Sequence, residues 1–138
     1  MDYPYGVWMI HLNKVVIRTY DAPKAIGTYS QGIRFGNLVY TSGQIPLNPK
    51  SGELISGDFK AEVHQVLNNL EGVLKGGGSS LQCAVKLTVF LTDLSYFSQV
   101  NEVFDGFFPE NPPARSAVQV SALPMSARIE IEAIGFVE

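Results

Sequence analysis

Six residues of this chain are of types that could do chemistry where they stand: Arg115, Glu130, Tyr29, Ser42, Gly43 and Asn101. Arg115 follows Pro112-Pro113-Ala114. Two prolines fix φ and favour an extended lead-in, so the arginine is expected at the mouth of a strand. Its guanidinium offers a flat fork of donors that matches the two oxygens of a carboxylate. The alternative is a surface arginine paired with any acid. In Arg128-Ile129-Glu130-Ile131-Glu132, strand alternation puts Glu130 and Glu132 on one face and the isoleucines on the other. A glutamate beside apolar surface is desolvated, its pKa rises, and it can serve as a general acid or base. A solvated strand face fits the same pattern.

Thr41-Ser42-Gly43-Gln44 ends a strand in small residues. Gly43 would let a ligand approach backbone N–H groups, although a plain turn needs the same residues. Tyr29 sits in a Gly-rich loop and could donate a hydroxyl hydrogen bond, or simply be exposed. Asn101 flanks an apolar helical stripe and needs a partner if buried, either a ligand or the backbone.

The elements that position these residues follow from hydrophobic period. Residues 13–20 read as a first strand, and 32–43 as two strands around a Gly36-Asn37 turn. Over 59–75, Val63, Val66, Leu67, Leu70, Val73 and Leu74 form one stripe at helical spacing. Asp58 or Ser56 can cap its start, and Gly76-Gly77-Gly78 ends it. Residues 84–91 alternate, with Val85, Leu87, Val89 and Leu91 expected on one face. A second helix, capped by Asp93 or Ser95, carries Phe97, Val100, Phe104, Phe107 and Phe108 and stops at Pro109. Residues 116–121 and 128–137 read as closing strands. The order βββαβαββ suits an α+β fold, one six-stranded sheet with both helices on one face. The other face would then expose Ile33, Phe35, Val39, Phe90, Ile134 and Phe136, an invitation to self-association.

Composition narrows the classes. The 138 residues are 46% hydrophobic and 17% charged, a globular balance for one domain. Residues 1–12 read as a disordered N-terminal extension, with Met9 a second candidate start, and 13–138 as the domain. A net charge of −3 and scattered lysines and arginines argue against a nucleic-acid partner. The single cysteine, Cys83, reads as a small buried hydrophobe and suits a reducing, cytoplasmic setting. His11 and His64 stand far apart, so no metal site is expected. No signal peptide or membrane span is read.

Six stretches, in this order and spacing, resemble the RidA/YjgF family of reactive-intermediate deaminases: AIGTYSQG (25–32), TSGQIPLNPKSGE (41–53), TVFLTDL (88–94), VNEVFDGFF (100–108), PPARSAVQV (112–120) and ARIEIEAIG (127–135). The resemblance implies a chorismate-mutase-like fold, assembled as a homotrimer around a barrel-like centre with sites between subunits. It implies cofactor-free hydrolysis of 2-imino acids, such as 2-aminoacrylate and 2-iminobutanoate, to 2-keto acids and ammonia. By the same resemblance Arg115 binds the substrate carboxylate and Glu130 positions water. Tyr29, Ser42, Gly43 and Asn101 complete the site. Ala117 stands where many members carry cysteine, so thiol-based regulation there is not expected. Endoribonuclease or translation-inhibitor activity, also attributed to members, and non-catalytic binding of small carboxylates are the alternatives.

Overall fold

A computed structural model describes residues 13–55 and 57–138. Its strands are β1 (Val15–Ile17), β2 (Gly32–Phe35), β3 (Leu38–Thr41), β4 (Ala84–Leu91), β5 (Ala114–Gln119) and β6 (Ile129–Phe136). The helices are α1 (Phe59–Gly76) and α2 (Phe97–Phe107). They form one six-stranded sheet in the order β1-β2-β3-β6-β4-β5. Among the described residues only β4 and β5 pair parallel, so the sheet is mixed. A parallel pair needs a crossover, and α2 supplies it. The expected α+β architecture and element order are therefore present. Residues 1–12, read as an extension, and Ser56, one candidate cap, lie outside the described residues.

Core and helices follow the sequence pattern closely. Val63, Val66, Leu67, Leu70, Val73 and Leu74 of α1 are fully buried, against Val39, Leu87, Val89, Ile129 and Ile131 of the sheet. Each such side chain contributes about 1.5–3 kcal/mol relative to exposure. Asp58 caps α1 by accepting from the Lys60 N–H at 3.1 Å. The helix runs one residue past the expected end. It stops where Gly77 and Gly78 donate to Leu74 and Lys75, with Gly78 left-handed at φ +89°. Asp93 accepts from the Ser95 N–H at 2.8 Å, capping a short turn (Leu94–Tyr96) that leads into α2. Cys83 is buried, as read. Among the described residues no helix is long and apolar enough to cross a membrane.

Five expectations need correction. β1 ends at Ile17, because the Gln31 side-chain amide takes both the Thr19 N–H (2.8 Å) and its carbonyl (3.1 Å), replacing the next ladder partner. β5 starts at Ala114, since parallel pairing with β4 begins at Lys86↔Ala114; Arg115 thus lies inside the strand, beside Leu87. Val85 is exposed, because a bulge between Ala84 and Lys86 takes it out of the alternation. Phe97 is exposed and stands over Arg115 instead of facing the core. Val39 faces the helices, since its partner is Gly135 and its neighbours Leu38 and Tyr40 take the open face. That open face does carry exposed apolar side chains, among them Phe35, Leu38, Tyr40, Val118 and Phe136.

Candidate active site

The expected residues fall into two groups, and the sheet explains the division. The first group forms where β3 meets β6. The ladder pairs Tyr40 with Ile134 and resumes at Gln44 with Ile131, so residues 41–43 oppose only 132–133. The surplus residue makes a bulge at Ser42-Gly43. Hydrogen bonds hold it on both sides. Thr41 Oγ1 accepts the Ala133 N–H at 2.9 Å, and Gln44 exchanges two backbone bonds with Ile131 at 2.8 and 3.0 Å. The bulge presses Gly43 against Glu130, where a Cβ would overlap the carboxylate. Glycine is needed here for space. Among the described residues the Gly43 N–H has no acceptor.

Glu130 stands opposite Phe90 on the face away from the helices, with Ile129 and Ile131 buried on the other. Burial pushes its pKa up, and the nearby Glu132 carboxylate adds to the rise. It lines a cavity of about 280 Å³ with Tyr29, Ser42, Gly43, Lys24, Ile26 and Met125. The Tyr29 hydroxyl oxygen accepts the Ile26 N–H at 3.3 Å, which folds the ring back on its own loop and leaves the phenolic proton to donate. The Ser42 hydroxyl is occupied: it donates to the Ser30 carbonyl at 2.6 Å, while the Ser42 N–H donates to the Gln31 carbonyl at 2.9 Å. Ser42 therefore ties the tyrosine loop to the bulge.

The second group lies on the helix side of β5. Parallel register sets Arg115 beside Leu87 and Ala117 beside Val89, on one face. The Arg115 guanidinium carbon lies 5.0 Å from the Phe97 ring centre and 5.3 Å from that of Phe104. These are stacking distances for a cation over aromatic faces. Its Nη1 donates to Asn101 Oδ1 at 2.8 Å. The partner that Asn101 requires is thus Arg115. Among the described residues no carboxylate pairs with Arg115. The guanidinium is braced by α2 and keeps donors for another acceptor. Ala117 is partly buried against the core. Within one chain Arg115 does not line the Glu130 cavity.

Sequence reasoning missed four residues that shape the first group. Gln31 is buried and donates from Nε2 to the carbonyls of Thr19, Ala22 and Pro23, fixing the loop that precedes Tyr29. Its only signal was a polar residue immediately before a strand. Lys24 and Ile26 line the cavity from the same loop. Met125 lines it from a turn in which Met125 and Ser126 both take positive φ, 56° and 58°. With no glycine or asparagine there, turn chemistry gives no warning.

Comparison with known proteins places the fold in a family. The family described as Endoribonuclease L-PSP matches residues 19–137. A RutC family protein of Pyrococcus horikoshii is 49% identical over 125 residues, 91% of this chain and 99% of its own. The 2-iminobutanoate/2-iminopropanoate deaminase of Homo sapiens is 46% identical over 126 residues, 91% of this chain and 92% of its own. The crystal structure of E. coli TdcF with bound serine superposes with a TM-score of 0.86 at 41% identity, covering 91% of this chain and 100% of that one. With these matches running along nearly the whole fold, this chain belongs to the RidA/YjgF family.

Proposed function

We propose that this protein hydrolyses 2-imino acids to 2-keto acids and ammonia, in sites built from both residue groups of neighbouring copies. The observation that carries the reading is Arg115: a guanidinium braced by Asn101, with no acid of its own among the described residues. Such a fork suits a substrate carboxylate. Glu130 and Arg115 lie on opposite faces of the sheet, and β5 is an edge strand. A second copy docked on the apolar open face is the arrangement that can bring the groups together, and a homotrimer in the cytoplasm is the assembly we favour. The human relative is named for this activity, and the TdcF structure holds a small amino acid.

The chemistry is an addition followed by an elimination. Arg115 holds the carboxylate, with Tyr29 and the Gly43 N–H fixing orientation. Water adds to the carbon of the protonated imine and gives one proton to Glu130, leaving a neutral carbinolamine. Glu130 returns that proton to the carbinolamine nitrogen. The C–N bond then breaks, ammonia leaves, the hydroxyl proton passes to the Glu130 carboxylate and the 2-keto acid remains. Ala117, where many members carry cysteine, leaves this sequence of steps without a thiol. The deciding experiment generates 2-iminobutanoate with threonine dehydratase and follows keto-acid formation. Acceleration over buffer supports the reading; none, with folded protein present, overturns it.

The family description raises RNA cleavage as a second reading. The net charge of −3 opposes it. A salt-titrated RNA-binding assay separates the two, since phosphate contacts give a steep salt slope.

A further inference from the structure

A second cleft, of about 660 Å³, opens beside the Glu130 cavity. Among the described residues its lining includes Arg18, Lys24 and Lys50 and no aspartate or glutamate. The chain has 13 acidic against 10 basic residues, so a cleft of one positive sign runs against the balance of the molecule. Among the described residues none of the three cations is held in an ion pair. Apolar side chains stand among them, including Val16, Ile17, Pro23 and Leu47, beside uncharged polar ones such as Thr19 and Ser30. Low-dielectric walls around charges of one sign focus the field and raise the local concentration of the opposite ion. The two cavities share Lys24, Tyr29 and Met125 as wall residues, so they adjoin.

We infer that this cleft is an anion-collecting vestibule, in which Arg18, Lys24 and Lys50 draw carboxylate-bearing substrate toward the Glu130 cavity. A 2-imino acid is an anion, and an ionised Glu130 repels it. The three cations offset that repulsion along the approach. They sit on exposed, flexible stems, so they hold the anion loosely enough to release it to Arg115. The identity of the anion rests on the imine-hydrolysis reading above; the positive field does not.

The test uses Arg18→Gln/Lys50→Gln, two residues outside both site groups. KM and kcat for 2-iminobutanoate are measured at ionic strengths of about 0.01 M and about 1 M, where the screening length falls from about 30 to about 3 Å. Binding of 2-oxobutanoate and of its uncharged amide is measured in parallel by calorimetry. At low salt the double variant is expected to raise KM and weaken 2-oxobutanoate binding about tenfold. kcat and amide binding should be unchanged, and the difference from wild type should vanish at high salt. Lys50→Gln alone, in an exposed turn, should show part of the effect if the double variant folds poorly. Identical KM, affinity and salt slope in variant and wild type would overturn the vestibule. If the wild type binds 2-oxobutanoate with this charge dependence but accelerates no hydrolysis, the enzymatic reading fails and the vestibule stands.

Discussion

Gly43 and Glu130 touch so closely that the glycine has no room for a side chain: a Cβ there would overlap the carboxylate. The contact is with the far end of a flexible side chain, so Glu130 can swing away. Gly43→Ala is therefore expected to cost about 1 kcal/mol, the low end of the overpacking range, while displacing the carboxylate. Thermal unfolding should be near wild type, and kcat should fall more than tenfold. Unchanged kcat would show that the position of Glu130 does not matter to turnover.

Arg115 and Asn101 form the second relationship to test. Charge-assisted hydrogen bonds contribute about 1.5–3 kcal/mol each, so Arg115→Ala should lower kcat/KM by roughly a hundredfold or more. Asn101→Asp should act differently. A carboxylate 2.8 Å from the guanidinium would occupy it, so KM should rise while the fold persists. Steady-state kinetics beside size-exclusion chromatography reads both; an Asn101→Asp protein with wild-type KM would refute the carboxylate role of Arg115.

Burial and the neighbouring Glu132 raise the Glu130 pKa. In the proposed role of water-activating base, Glu130 must be ionised, so activity should rise with pH through its raised value. Stability runs the other way. Between the ordinary glutamate pKa and the raised one, the folded state binds more protons than the unfolded state, so stability falls as pH rises. Glu130→Gln should therefore unfold at a higher temperature than wild type at neutral pH, lose that slope and lose activity. Differential scanning calorimetry across pH 4–8 reads the slope; parallel curves for both proteins would contradict it.

Asn69 is fully buried in α1 and donates to the carbonyls of Ile45 and Leu47 at 3.3 and 2.9 Å. Asn69→Ala leaves both carbonyls without this donor in the interior. The expected cost is about 1–3 kcal/mol, read from urea midpoints. Because Ile45 and Leu47 line the Glu130 cavity, KM should rise as well.

Much of the fold was legible because period alone carries it. The stripe from Val63 to Leu74 could bury only as a helix, and each of its apolar positions is in the core. The Gly36-Asn37 turn was readable because Gly36 takes φ +62°. Val85 and Val39 were misplaced for a common reason. Which face a residue takes depends on register with a partner strand, and one bulge or one pairing choice flips it. Arg115, Glu130 and Gly43 were identifiable as residues, each from its own chemistry and again from the family resemblance. Gln31 was not, because a buried amide that replaces ladder partners leaves no period behind.

Taken alone, the amino-acid sequence determined the element order, the core stripe and the residue types available for chemistry, since these depend on local spacing. Tertiary structure decided where those residues meet. The surplus residue at Ser42-Gly43 brings glycine against Glu130, and the parallel β4–β5 pairing sends Arg115 to Asn101 on the other side of the sheet. The division of the site between two faces comes from hydrogen-bond register between distant strands, a long-range property that no local pattern encodes.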